Sequence, residues 1–299
     1  MRLIISCLAV ALVFLTLLPA HEVAADSRAQ ELIKQARAAL GGEEALNAVH
    51  GLSLSGKLRR DDKSGDIKLD LLLPDKFKRS ETMSLIANIE ATFTSALNGN
   101  QVWNDSSTSG GDGNVRVNSR SVSPRNDSQT QAARGQQMRQ EFARQLVGLL
   151  LTSSASFPLD YTYAGEAESK DGRADVLDIK GPEGFAARLF LDKTSHRPLM
   201  MKYKGLIPTT TINTSVSQAG NREDMEKIIK EAREGKAGAR GGARQEGNLE
   251  VYFSDYRSVN GILLPHHITR SSNGKLAEEW TIKKYKINPA FTNQDFEKK

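Results

Sequence analysis

Residues 248–287 read NLEVYFSDYRSVNGILLPHHITRSSNGKLAEEWTIKKYKI, and their reading decides the fold. Two Asn-Gly pairs, Asn260-Gly261 and Asn273-Gly274, divide the stretch into three runs with apolar residues at alternate positions. Asn-Gly tolerates the positive backbone angles that a two-residue hairpin turn requires, and alternation is the signature of a half-buried strand. The stretch therefore predicts three consecutive antiparallel strands. The adjacent His266 and His267 in the middle run suggest a metal site at first sight. On a strand, however, neighbouring side chains leave opposite faces, so the two rings diverge and cannot grip one ion. His266 shares a face with Ile262, Leu264 and Ile268, His267 lies with Leu263 and Thr269, and Pro265 suggests an edge or a bulge.

Upstream, the same period recurs. GDIKLDLLLPDKFKRSE (65–81) puts Ile67, Leu69, Leu71 and Leu73 on one face, stops at Pro74, and resumes near Phe77. Residues 85–97 alternate without interruption from Leu85 to Leu97 and read as one long strand, after which Asn98-Gly99 turns the chain and Trp103 lies on the returning strand. A loop rich in Ser, Gly, Asn and Asp follows over 105–130, with a weak strand near Val115 and Val117. Four further runs, LDYTYAGEAES, ADVLDIK, FAARLFLD and LMMKYKG, are separated by turn chemistry in KDGR, GPEG and KTSHRP. The total is about a dozen strands, a number at which an antiparallel sheet curls.

Helical periodicity appears in two places. RAQELIKQARAAL (28–40) brings Leu32, Ile33, Ala36 and Leu40 together and ends at Gly41-Gly42, with one more short turn around Ala45 to Val49. Residues 131–151 carry Met138, Phe142, Leu146 and Leu149 along one stripe. A segment at about 218–248 allows a short helix near 222–234 but ends in GKAGARGGARQEG, too poor in apolar residues to pack, and reads as a flexible insertion between strands.

The first residues, Met1-Arg2 followed by LIISCLAVALVFLTLL (3–18), have the form of a secretory signal peptide, and Val23, Ala24 and Ala25 place its cleavage before Asp26. The expected organisation is a signal peptide at 1–25 and a single domain at 26–299, located in the periplasm. The only cysteine is Cys7, inside the signal, so no disulfide staples the mature chain and a sizeable core has to hold it. The net charge is +5, and loss of Arg2 and Glu22 leaves it unchanged. Such a charge inclines an exported protein toward anionic membrane surfaces, while its dispersal along the chain argues against nucleic acid.

No catalytic signature stands out. There is no G-x-S-x-G, no H-E-x-x-H and no mature thiol, and the glycine-rich GARGGARQEG neither joins a strand to a helix nor ends in Lys-Ser or Lys-Thr. Glu166 with Glu168, and Glu278 with Glu279, read as ordinary carboxylates of exposed strand faces. No cofactor or metal is expected, and an enzyme ranks last among the functions considered. What remains is apolar surface. Leu69, Leu71, Phe93, Leu191, Val251, Phe253 and Ile282 fall on the apolar sides of their strands, with Phe142 and Leu146 on the helix that faces them, and these residues either fill a core or line a cavity.

Several elements occur in a fixed order: a first helix ending in LGG (40–42), LLLPDKFKRSE (71–81), LNGNQVWND (97–105), a mid-chain helix and FSDYRSVNGILLPHHI (253–268). In that order they resemble the LolA/LolB-like superfamily of periplasmic lipoprotein carriers and their uncharacterised relatives. PDKFKR (74–79) is similar to the family's Pro-x-x-Phe element, and NGNQVW (98–103) to its Asn/Asp-Gly-x-x-x-Trp hairpin. The chain departs from the pattern at Leu73, where the carriers place a basic residue that helps hold a lid, and in the insertion at about 218–248. The resemblance implies an α+β fold: a curled antiparallel sheet forming an unclosed half-barrel, its concave face covered by helices. It also implies a non-enzymatic protein that holds lipid acyl chains or a lipidated polypeptide. A sensor or protein-interaction module with an envelope protein as partner is the alternative on the same fold. A dry cavity of a few hundred cubic ångströms under the helix favours the carrier, and a filled interior favours the module.

Overall fold

The computed structural model describes residues 20–60, 63–86, 89–110, 128–169, 172–207 and 246–298. Helix α1 (Ala20–Leu40) ends at Gly41 and Gly42, both at positive φ, and is followed by the short α2 (Glu43–Asn47). Then come β1 (Gly51–Arg60), β2 (Lys63–Leu72), β3 (Lys76–Ile86), β4 (Ile89–Asn98) and β5 (Gln101–Gly110). Helix α3 (Ser128–Leu150) leads to β6 (Asp160–Ser169), β7 (Gly172–Lys180), β8 (Ala186–Asp192) and β9 (Pro198–Leu206). The last strands are β10 (Glu246–Val259), β11 (Ile262–Ser272) and β12 (Lys275–Ile287).

All twelve strands form one antiparallel sheet in the order β5-β4-β3-β2-β1-β12-β11-β10-β9-β8-β7-β6, so the sheet is open, with β5 and β6 as its edges. The Asn-Gly turns hold as read: Asn260, Gly261, Asn273 and Gly274 all take positive φ.

Sequence patterning misplaced three details. The run 85–97 is two strands, with Ile86 opposite Ile89 at the tip of a hairpin, because the alternation continues in phase across the turn and leaves no mark of it. Pro265 is on a central strand rather than an edge. It lies just outside the stretch of β11 that pairs with β12, which begins at His267, so its missing N–H interrupts no bond on that side. Finally, β10 begins at Glu246, with Gly247 opposite Gly205, so the strand claims the last residues of the expected insertion. The weak strand near Val115 and Val117, the short helix near 222–234 and residues 1–19 of the expected signal peptide lie outside the described residues.

The sheet curls about one face. On a flat sheet β3 and β12, separated by β2 and β1, would stand ~14 Å apart. Yet Arg79 of β3 meets Glu278 of β12 at 2.5 Å, so the side chains of this face converge. Gly56 marks one point of bending: the register of β1 against β12 shifts there, and a Cβ at this position would fall 2.1 Å from the Thr281 carbonyl oxygen. Leu54, Leu69, Phe77, Leu97, Leu177, Leu189, Met201, Val251, Leu264 and Ile282 form a continuous core on that face. Leu32, Ala36 and Leu40 of α1, and Phe142, Leu146 and Val147 of α3, belong to the same core. Helix α1 lies against β6 and reaches β11, while α3 lies against β3, β4, β5 and β11, so each helix spans from one edge strand toward the middle.

The C-terminal segment crosses the opposite face, packing on β3 and β4. Asn293–Phe296 forms a single turn capped by Thr292 and Asp295, Phe296 is fully buried, and its carbonyl accepts a hydrogen bond from Trp103 Nε1 at 2.8 Å. Phe296→Ala is expected to cost about 3–5 kcal/mol, measured by urea unfolding.

Candidate functional site

The residues singled out on the sequence fall mostly into one place. Leu69, Leu71, Phe142, Leu146, Leu191, Val251, Phe253 and Ile282 are buried members of the shared core, whereas Phe93 on β4 is only half-buried. Phe142 contacts Phe77 of β3 with ring centroids 6.3 Å apart. Phe253 of β10 lies directly under Gly148 of α3, where an added Cβ would stand 2.5 Å from the Phe253 ring. Glycine here lets the helix approach the sheet closely. Gly148→Ala is therefore expected to lift α3 and destabilise the fold by about 1–3 kcal/mol in denaturant titration.

Between α3 and the sheet lies a feature that the sequence reading missed. Glu278, taken for an exposed carboxylate, is 1% exposed on the inner face of β12. It accepts hydrogen bonds from Arg79 Nη2, from Arg60 Nη2 at 3.0 Å and from the Trp280 indole. Arg60 and Arg79 also hold Glu81, and from the helix side Glu141 accepts from Arg270 Nη2 of β11 at 2.8 Å and from Gln145 at 3.0 Å. Arg79 and Arg270 flank the Trp280 ring at 4.9 and 5.9 Å, and Arg144 of α3 sits 4.1 Å over Tyr203 of β9.

Burial alone would raise the carboxyl groups, but the arginines outweigh it. Glu278 is brought down to about 2, chiefly by Arg79, then by Arg270 and Arg60. Glu141 is brought down to about 2 by Arg270, Arg144 and Arg79. Both are ionised at neutral pH, and an ionic lattice rather than a dry hollow occupies the centre of the α3–sheet contact.

The enclosed space beside this lattice is about 20 Å³, room for a water-sized group. Arg144, Gln145, Tyr203 and Arg270 line it together with Met201, Val251, Phe253, Ile268 and Trp280. A cavity of a few hundred cubic ångströms under the helix is thus not what these side chains enclose. A larger depression of about 660 Å³ opens elsewhere, between the start of β5, the first turns of α3 and the C-terminal segment, with Gln101, Trp103, Gln131, Arg139 and Phe296 in its walls.

The two histidines do separate. His266 is buried, its Nδ1 bonded to the Leu264 carbonyl at 3.1 Å and its ring edge-on to Tyr285. His267 lies on the outer face, with Nε2 2.7 Å from Glu279 Oε1 and Nδ1 3.0 Å from Ser254 Oγ. A Ser-His-Glu chain of this kind resembles a hydrolase relay, but it lies across three adjacent strands on an open sheet surface, and other residues line both depressions. Arg59 also holds Glu279, so the group reads as a cross-strand polar ladder. Among the described residues no cluster of three or more His, Cys, Asp or Glu could hold a metal ion. Among them, too, no helix is long and apolar enough to cross a membrane.

No protein-family model matches the chain, and no curated protein matches it. Among solved structures it is similar to a LolA superfamily protein from Nitrosomonas europaea, at 9% identity and a TM-score of 0.38, over 90% of this chain and 97% of that one. It is also similar to a DUF1329 family protein from Desulfovibrio piger, at 8% identity and a TM-score of 0.41, with 90% and 97% covered.

Proposed function

We propose that the chain is an exported, non-catalytic binding protein in which α3 is a lid that closes the hollow of the half-barrel at rest, and that an acyl chain enters by taking the helix's place. One observation carries this reading. Phe142, Leu146 and Val147 of α3 rest on apolar side chains contributed by strands from both halves of the sheet, so withdrawing one helix uncovers an apolar trough interrupted by the arginines and Glu278 of the ionic lattice. An acyl chain offers the same kind of surface, and each buried methylene contributes ~0.8 kcal/mol, so no dedicated polar group is needed to hold it. Leu69, Leu71, Phe93, Leu191, Val251, Phe253 and Ile282 are the sheet residues assigned to the trough. The lid is held by charge as well as by packing, since Glu141 is the helix's link to Arg270.

Purified protein is expected to release lipid into organic extracts, detected by mass spectrometry, and to bind a fluorescent fatty acid. Glu141→Gln weakens the link to Arg270 and should speed probe association several-fold. If no lipid co-purifies and no probe binds, the carrier reading is wrong. The second reading, an envelope interaction module whose interior is permanently filled, then takes its place; the small size of the enclosed space favours it.

A further inference from the structure

The depression of about 660 Å³ beside the start of β5 is separate from the trough, since none of the residues assigned to acyl binding lines it. Three elements build it. The β4–β5 turn and the first residues of β5 form one wall, the first turns of α3 a second, and the C-terminal segment a third. A volume of this order is that of a small-molecule site.

Its polar groups are mostly amides. Asn100, Gln101 and Gln131 bring exposed side chains, and none of the three makes a side-chain hydrogen bond among the described residues. Further along α3, by contrast, Gln136 and Gln140 both donate to the Glu183 carbonyl, at 2.7 and 3.0 Å. Arg139 turns Nε and Nη2 to one oxygen of Glu183, at 2.8 and 2.7 Å. Its Nη1 folds back over Gly135, 3.1 Å from where a Cβ would stand, so glycine leaves that nitrogen room in the wall. Trp103 Nε1 is already bonded to the Phe296 carbonyl, and what the indole adds to the wall is ring surface. Charge is balanced: Glu183 offsets Arg139, and Glu297 offsets Lys298.

This pattern selects among ligands. An anion would meet no excess of cations, and an acyl chain would leave the amides without partners. A side-chain amide carries one carbonyl acceptor and two N–H donors, which suits a hydroxyl that both donates and accepts. The C–H face of a pyranose ring in turn suits the apolar body of an indole. We propose that the depression binds a short neutral oligosaccharide, one ring stacked on Trp103 and the hydroxyls shared among Gln101, Gln131 and Arg139 Nη1. The site stands whether or not the trough takes an acyl chain.

The test titrates maltotriose, chitotriose, trigalacturonate and capped pentaserine into the purified protein by calorimetry, with tryptophan emission recorded in parallel. The chain has two tryptophans and Trp280 is buried, so an emission change that Trp103→Leu removes reports this site. Maltotriose or chitotriose should bind with a Kd below about 1 mM. Gln101→Ala and Gln131→Ala should each weaken that binding about fivefold, the worth of one hydrogen bond, and leave the thermal midpoint unchanged because both residues are exposed. Failure of both neutral trisaccharides to bind overturns the proposal, as does binding that both glutamine variants leave at full strength. Tighter binding of trigalacturonate overturns the neutral ligand in favour of an anion. Binding of pentaserine alone overturns the sugar in favour of a peptide strand added to the edge of β5. Should Trp103→Leu not fold, the two glutamine variants decide.

Discussion

Replacing Glu278 by alanine is expected to cost about 3–5 kcal/mol of folding stability, the usual result of removing one partner from a buried ionic group. The carboxylate is the shared acceptor for Arg60, Arg79 and the Trp280 indole, and all three lose it together. With Glu278 gone, Arg60, Arg79 and Arg270 lose a carboxylate that sits among them in a buried setting. The desolvation of those charges then goes uncompensated, and this, more than the loss of any single bond, sets the magnitude.

The same geometry fixes how stability depends on pH. Glu278 and Glu141 both have folded pKa values of about 2, below the ordinary glutamate range near 4.5. A carboxyl depressed in the folded state binds protons first in the unfolded chain. The stability it contributes is therefore fully present above about pH 4.5 and is lost as the pH falls toward 2. Across that window these two groups account for up to two protons taken up on unfolding, a slope of about 2.7 kcal/mol per pH unit. Glu278→Gln should remove one proton from the slope and Glu141→Gln another, as read from urea unfolding at a series of pH values. An unchanged slope in either variant would show that its carboxylate is not coupled to the arginines as described.

Where the chain could be read from its sequence, the determining physics is local. Asn260-Gly261 and Asn273-Gly274 specify their turns through backbone angles that few other pairs tolerate, so three strands and their order follow from forty residues. The division between β3 and β4 was hidden because Leu85, Ala87, Ile89 and Ala91 carry the alternation in phase from one strand into the next. Glu278 was hidden for a different reason. AEEW (277–280) has the local look of an exposed edge, and only the curl that carries β3 over β12 brings Arg79 onto it, a pairing 199 residues long. Arg37 could have been suspected: four residues after Ile33 and three before Leu40, it shares the buried face of α1, where a solvated arginine would not be placed.

That arginine supports the last expectation, that Arg37→Ala destabilises the fold by about 3 kcal/mol while Glu43→Ala, which breaks the same ion pair, costs less than about 1 kcal/mol. The asymmetry follows from what each partner does. Glu43 is half exposed, so its share of the ion pair is screened by water. Arg37 is 6% exposed and, besides Glu43, its guanidinium donates to Asn47 at 2.6 Å and to the carbonyls of Leu150 and Leu151 at 3.3 and 2.9 Å. Those carbonyls belong to the end of α3, where Leu151 turns to positive φ and the last helical C=O groups have no partner within the helix. A buried cation there satisfies them and also opposes the negative end of the helix dipole. Arg37→Lys should recover less than half of the loss, because an ammonium cannot reach four acceptors arranged around a planar fork. Amide hydrogen exchange locates the effect: in Arg37→Ala the final turn of α3 should exchange faster than its middle, and equal losses in Arg37→Ala and Glu43→Ala would reduce the contact to a surface ion pair. For the lid reading the consequence is directional. The end of α3 clamped by Arg37 is the end that stays, so opening has to begin from the Ser128 end and pass through Glu141 before it reaches Gly148.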